Sequence, residues 1–75
     1  MPRKNYRIVS VENAVRRARI VAGFTAAELA DMVGISRPML SSIENGAGTS
    51  VKTAHRIAEA VERSFEQLFE VQDAR

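Results

Sequence analysis

Short polar side chains and a single arginine stand together in the stretch SRPMLSSIENG, residues 36–46. If residues 37–44 form a helix, a rotation of about 100° per residue turns Leu40 and Ile43 to one side. The opposite side then carries Pro38, Ser41, Ser42 and Asn45. Arg37 stands in the exposed first turn. The pattern predicts a short helix with an apolar underside and a polar outer face.

The residue types on that outer face suit the edges of base pairs. An arginine can donate two hydrogen bonds to the O6 and N7 acceptors of guanine, and a good contact of this kind discriminates between bases by about 1 to 3 kcal/mol. We therefore expect Arg37 to read bases in a major groove, with Ser41 and Ser42 as short hydrogen-bonding groups. Pro38 and Met39 can touch thymine methyl groups. These residues indicate double-stranded DNA as the partner.

A second helix must hold that outer face in place, and the sequence has one directly before it. Thr25 and Glu28 form a capping-box pattern that begins a helix, and Gly34 ends it at a position that favours positive φ. Ser36 then caps the next helix. The connection is about three residues long, which predicts a helix-turn-helix unit with steeply crossed helices. Ala30 lies at the expected crossing, where a larger side chain would hold the helices apart.

The stretch LADMVGISRPMLSSIENG, residues 29–46, resembles the helix-turn-helix of the Cro and phage-repressor type regulators, the XRE family. The resemblance extends from about Val11 to Phe69. It implies an all-α fold, a compact five-helix domain of the lambda-repressor-like kind. It also implies a sequence-specific transcriptional regulator, a phage or bacterial repressor or Cro-like protein, whose recognition helix, residues 37–45, enters the major groove of an operator.

The resemblance also assigns individual residues. In this family an arginine at the place of Arg19 pairs with the glutamate near the end of the recognition helix, here Glu44, so a partly buried ion pair is implied. Asn45 matches a position that contacts phosphate, and Gly46 follows it as the family's turn glycine. The family commonly has glutamine just after the cap of the second helix, where this chain has Ala26. That difference removes one side-chain contact to phosphate.

Periodicity and caps predict the remaining helices. Ser10 can cap a first helix that stops at Gly23, with Ile20 on its far side and a buried stripe at Val11, Ala14, Val15, Ala18, Val21 and Ala22. The predicted helices cover about residues 11–22, 26–33, 37–44, 51–61 and 65–70. They form one helix-turn-helix domain, residues 10–71, between a basic N-terminal arm, residues 1–9, and a polar tail, residues 72–75.

Several groups around the recognition helix are expected to contact the DNA backbone. Thr25 and Ser36 begin helices whose free N–H groups can bind phosphates. Lys52, on the exposed side of the fourth helix, can reach another phosphate.

The basic arm has three readings that the sequence leaves open. It carries Arg3, Lys4 and Arg7 around Tyr6. It is a solvated terminus, a basic arm on phosphates or in the minor groove, or a short strand using Tyr6 and Ile8.

The last helix carries more apolar surface than one face of so small a domain easily buries. Its apolar residues are Phe65, Leu68, Phe69 and Val71. Either they close the core or part of them makes a two-fold dimer contact. Because the recognition helix has few long polar side chains, we expect one module to bind weakly. Useful affinity then needs two half-sites about one DNA turn apart, occupied by a homodimer or by paired monomers.

Charge and composition limit the other classes of protein. The net charge is only +2, but residues 1–56 hold nine Lys or Arg against four acids, whereas residues 57–75 hold two against five. One end can therefore face a polyanion. No stretch approaches the ~20 apolar residues of a membrane span, and MPRKNY lacks the apolar run of a signal peptide. We expect a cytoplasmic protein, in the bacterial nucleoid or a phage-infected host, with no membrane partner.

Catalysis and metal binding are not expected. The 75 residues contain no cysteine, and His55 is the only histidine, so a metal site is not indicated. Ser36, Ser41 and Ser42 have no plausible general base beside them, and no glycine-rich loop has phosphate-cradling spacing. Neither a cofactor nor a small-molecule ligand is predicted.

Two alternatives to a transcriptional regulator use the same fold. One is a protein-interaction module such as an antitoxin that holds a toxin, for which the acidic and aromatic end from Glu59 to Asp73 is the cue. The other is an architectural or excision factor that bends DNA.

Overall fold

The computed structural model describes residues 6–73. Within that range the chain forms β1 (Tyr6–Ser10), α1 (Ala14–Ala22), α2 (Ala26–Val33), α3 (Arg37–Glu44), α4 (Val51–Val61), α5 (Phe65–Leu68) and β2 (Phe69–Asp73). The predicted compact five-helix fold is confirmed. The chain is not purely helical, however, because β1 and β2 pair as a two-stranded ribbon. None of the helices described is long and apolar enough to cross a bilayer.

Local capping hydrogen bonds define the helix-turn-helix unit of α2 and α3. Thr25 Oγ1 accepts from the Glu28 N–H at 3.1 Å, and Glu28 Oε1 accepts from the Thr25 N–H at 2.8 Å, which completes a capping box. Gly34 ends α2 with φ 85°, a conformation that a side chain would strain. Ser36 Oγ accepts from the Met39 N–H at 3.1 Å and starts α3. The crossing of these helices is therefore encoded mainly by neighbouring residues.

A single cluster of buried side chains holds the helices together. Its largest fully buried members are Leu29, Leu40, Ile43, Ile57 and Val15. Ala30 belongs to the same cluster and is 2% exposed. The underside of α3 is thus packed against the helical body, which turns its polar side outward.

The ribbon joins the two ends of the described chain. β1 and β2 are antiparallel, with Ser10 opposite Phe69, Ile8 opposite Val71 and Tyr6 opposite Asp73. Ile8 and Val9 are both buried although they are neighbours. For residues 6–9 the structure therefore has the strand that was one of the three open readings. Arg3 and Lys4 lie outside the described residues.

Pairing in the ribbon corrects both ends of the predicted helical domain. The first helix begins at Ala14 rather than near Val11, and Ser10 ends β1 instead of capping α1, because the Val11 N–H donates to the Leu68 carbonyl at 2.8 Å. The fifth helix ends at Leu68 rather than at residue 70, because Phe69 is already extended at φ −130°. Residues 72 and 73 of the predicted tail belong to β2.

The predicted buried stripe of α1 was wrong at its ends. Val15 and Ala18 are buried, but Val11 is exposed, and so are Val21 and Ala22. Ile20 is also exposed, on the far side where the periodicity placed it. The packed part of α1 is therefore shorter than the apolar pattern indicated.

The apolar residues at the C-terminal end mostly close the core. Leu68 and Phe69 are each 2% exposed, so they have no surface to offer a second copy. Phe65 is half-buried, with its ring centroid 4.8 Å from that of His55 and 5.6 Å from that of Phe69. Val71 remains 58% exposed.

Replacing one buried ring should show how much stability the ribbon contributes. We expect Phe69→Ala to lower the free energy of unfolding by about 3 to 5 kcal/mol, because it leaves a cavity where a whole ring was packed. Val71→Ala, two residues along the same strand, should change it by less than about 0.5 kcal/mol. Urea denaturation followed by circular dichroism measures both. Similar losses for the two variants would contradict the burial described for β2.

Candidate nucleic-acid interface

The outer face of α3 is open to solvent. Arg37, Pro38, Met39, Ser41 and Ser42 are all exposed. Beneath them, Leu40 is fully buried and Ile43 is 2% exposed. Every side chain that the sequence predicted to meet base edges therefore lies on one accessible surface.

The start of α2 lies beside that surface. Ala26 lines the same shallow depression as Arg37, Pro38 and Ser41. Ala26 contributes only a methyl group, so α2 adds no polar side chain to this depression. The first turn of α2 and the outer face of α3 can nevertheless meet one extended ligand together.

Both helix starts have hydrogen-bond donors left for an anion. The hydroxyls of Thr25 and Ser36 accept from the third residue of their helices, so each hydroxyl proton is still available. The first N–H groups of a helix have no partner within it. Because Pro38 lacks an N–H, α3 offers fewer such donors than α2.

A buried carboxylate fixes the end of α3 to α1. Arg19 Nε donates to Glu44 Oε2 at 2.8 Å, so the structure brings together the two residues that the resemblance paired. The side chain of Glu44 is 4% exposed and that of Arg19 15%. Arg19 Nη1 also donates to the Phe24 carbonyl at 3.1 Å. The guanidinium of Arg19, on α1, therefore contacts both the turn that precedes α2 and the end of α3.

Arg16 belongs to the same network and was missed from the sequence. Its Nε donates to Glu44 Oε1 at 3.3 Å and its Nη2 donates to Asn45 Oδ1 at 3.2 Å. Arg16 and Arg19 are three residues apart, so they share a face of α1. This spacing could have identified Arg16 as the second partner of Glu44. Because Asn45 accepts through Oδ1, its Nδ2 group is left to donate to a phosphate.

The loop after α3 leads from Asn45 to Lys52. Gly46 turns the chain with φ 103°. Lys52 follows in the first turn of α4 and is exposed. Between them the Thr49 N–H donates to the Ile8 carbonyl at 2.9 Å, so β1 supports this loop from the protein side. Asn45 and Lys52 are thus two polar groups at the ends of one short, supported segment.

His55 takes no part in this surface chemistry. It is exposed on α4, and its ring stacks on that of Phe65 with an angle of 26° between the planes. Among the side chains of residues 6–72, no three His, Cys, Asp or Glu groups come close enough together to hold a metal ion.

Removing the buried carboxylate should destabilise the fold more than removing its outer partner. We expect Glu44→Gln to lower the free energy of unfolding by about 3 kcal/mol, near the low end for breaking a buried ion pair, because the Arg19 side chain keeps some exposure. Arg16→Gln should cost at most about 1 kcal/mol, since the Arg16 side chain is 42% exposed. Chemical denaturation of the two variants makes the comparison. Equal losses would show that Arg19 is not the main partner.

Comparison with known proteins agrees with this architecture. Residues 15–68 match the helix-turn-helix family. No curated protein sequence matches the chain significantly. Among solved structures, that of transcriptional regulator VanUg, form II, is similar with a TM-score of 0.67 over 97% of this chain and 95% of that one, at 18% sequence identity. The chain therefore belongs to the helix-turn-helix family of the XRE/Cro type, and its helix-turn-helix is a DNA-binding domain.

Proposed function

We propose that this protein is a sequence-specific transcriptional regulator that represses, in the manner of a phage or bacterial repressor or Cro, by occupying an operator. The observation that supports this most is the exposed outer face of α3, held on a buried underside and fixed by the Glu44 carboxylate. Regulators of this family are typically not enzymes. In this proposal the protein acts where the DNA is, in the bacterial nucleoid or in the cytoplasm of a phage-infected host.

Base recognition rests on the first two turns of α3. Arg37 donates two hydrogen bonds to a guanine, and Ser41 and Ser42 donate to or accept from neighbouring bases. Pro38 and Met39 supply apolar contacts to thymine methyl groups. Only one of these side chains is long and charged, so the sequence preference depends strongly on Arg37.

Backbone contacts set the register of α3 in the groove. Thr25 and Ser36 donate at the starts of α2 and α3, while Asn45 donates through Nδ2, which the bond from Arg16 leaves free. Gly46 lets the backbone approach closely, and Lys52 adds a charge contact. These groups bind phosphates of any sequence, so they supply affinity rather than preference.

A single copy contacts too few bases for tight binding, so we infer that two copies occupy an operator. With alanine at position 26, the chain lacks one side-chain contact to the DNA backbone that the family commonly makes. Of the four residues considered for a dimer contact, Val71 and part of Phe65 are at the surface, whereas Leu68 and Phe69 are buried. Paired monomers on adjacent half-sites, or a homodimer with a small contact, both satisfy this requirement.

A protein-interaction module such as an antitoxin is less well supported. The cue for it was the acidic and aromatic C-terminal end, but Phe69 is buried in the core and Phe65 packs on His55. The aromatic part of that surface is therefore largely used within the chain.

Substitutions at Arg37 and Lys52 should separate base recognition from backbone binding. We expect Arg37→Ala to reduce the preference for the selected sequence by about 1 to 3 kcal/mol at the contacted base pair. Lys52→Ala should weaken binding to every DNA sequence by the same factor, because a phosphate contact carries no sequence information. Anisotropy titrations with the selected duplex and with a single-base variant measure both effects. A uniform loss for both variants would count against the role given to α3.

Selection of bound duplexes from a random pool should reveal two half-sites. We expect them to be related by two-fold symmetry with centres about 10 base pairs apart, one helical turn, or a multiple of it. Sedimentation of the free protein then distinguishes a preformed dimer from paired monomers. Recovery of a single asymmetric site, bound tightly by one copy, would contradict the need for two copies.

A further inference from the structure

Gly48 is a glycine that its own backbone conformation does not require. Gly23, Gly34 and Gly46 have positive φ, but Gly48 does not. What occupies the space beside it is the guanidinium of Arg7. A Cβ atom placed on Gly48 would lie 3.3 Å from Arg7 Nε and 3.5 Å from Arg7 Nη2. Because Gly48 has no side chain, the guanidinium of Arg7 can pack directly against the loop after α3. We call this position on Gly48 the seat of Arg7.

The strand that carries Arg7 is fixed to this loop by neighbouring contacts. Ile8 is 3% exposed, and its carbonyl accepts from the Thr49 N–H at 2.9 Å. The residues next to Arg7 and next to Gly48 are thus hydrogen-bonded to each other. Arg7 is consequently held in place at its backbone while its side chain stays exposed.

The positive charge of Arg7 is not neutralised by the part of the chain that is described. Among the side chains of residues 6–72, the ion pairs join Arg16 and Arg19 to Glu44, and no carboxylate of that range lies within 4.0 Å of the Arg7 guanidinium. Across the ribbon, Arg7 faces the neutral Gln72. The charge is therefore available to an anionic ligand.

The position of that charge points to the DNA backbone. The seat at Gly48 lies in the short segment between Asn45 and Lys52, and the proposed function gives each of these a phosphate contact. We propose that Arg7, seated on Gly48, binds a phosphate of the DNA backbone beside the loop after α3. This inference rests on the proposed function and extends its binding surface from the helices to the ribbon. The interaction adds affinity without sequence preference, which compensates for the short, apolar side chain of Ala26.

The salt dependence of binding measures this contact directly. Each neutralised phosphate adds about −0.9 to the slope of log K against log salt concentration on duplex DNA. We expect Arg7→Gln to make the slope shallower by about 0.9 and to weaken binding several-fold at low salt. The probe is a fluorescein-labelled duplex of mixed sequence, titrated with the full chain by anisotropy over a series of potassium chloride concentrations. Thermal melts should match the wild type, because Arg7 is exposed.

Two further variants make the result specific to the seated charge. Arg63→Gln removes the same charge from an exposed residue just beyond the other end of α4, about 16 Å from its first turn, and should leave the slope unchanged. Arg7→Lys keeps the charge and should keep the slope within error. A wild-type slope for Arg7→Gln would overturn the proposal. So would equal changes for Arg7→Gln and Arg63→Gln, or a slope for Arg7→Lys as shallow as that of Arg7→Gln.

Failure of this inference can be told apart from failure of the proposed function. If the wild-type protein binds the duplex with a clear salt dependence and only the Arg7 result is negative, the DNA-binding role stands and the ribbon lies outside the interface. If the wild-type protein shows no salt-dependent binding to any duplex, the proposed function fails, and this inference fails with it.

Discussion

The buried carboxylate of Glu44 is the constraint on which the interface depends. Helix α3 has only eight residues, and isolated helices shorter than about 12 to 15 residues are marginal in water. Its position must therefore come from tertiary contacts. Leu40 and Ile43 supply apolar burial, which is non-directional. The charge-assisted hydrogen bonds from Arg19 and Arg16 are directional, so they fix how the helix is rotated and where it ends.

The same constraint connects packing to recognition. Burying a charge is costly unless it is paired and hydrogen-bonded, so the buried position of Glu44 depends on the hydrogen bonds from Arg19 and Arg16. Arg19 in turn bonds to the Phe24 carbonyl, which precedes the cap of α2. The residue before the cap of α2 and the end of α3 are thus hydrogen-bonded to the same guanidinium.

The parts of the fold that depend on neighbouring residues could be predicted, and the parts that depend on distant pairing could not. The α2 and α3 unit follows from caps at Thr25 and Ser36 and from Gly34, all read within a few residues of each other. The ribbon pairs Ser10 with Phe69 across most of the chain. Ile8 and Val9 are both buried, so β1 lacks the alternation that marks a half-buried strand. Ser10 resembled a helix cap because the serine is suitable and its strand partner is far away in sequence.

The candidate site divides in the same way. The exposed residues of α3 could be predicted from the rotation per residue of a helix alone. Arg16, the second arginine on Glu44, was missed although its spacing from Arg19 places both on one face of α1. The contact between Arg7 and Gly48 could not be predicted without the pairing of the ribbon. The role of Gly48 could not be predicted from the sequence. The glycine is explained by its contact with Arg7, which is distant in sequence, and not by a turn.

The ribbon has a consequence for how the domain can be connected to other chains. Tyr6 and Asp73 lie opposite each other, and paired Cα atoms in antiparallel strands are about 4.5 to 5.5 Å apart. A linker of a few residues could therefore close the described chain into a ring, and circular permutation becomes practicable, with new termini opened in an exposed turn. For the same reason the domain suits insertion into a surface loop of a host protein, because both junctions would leave from a single edge.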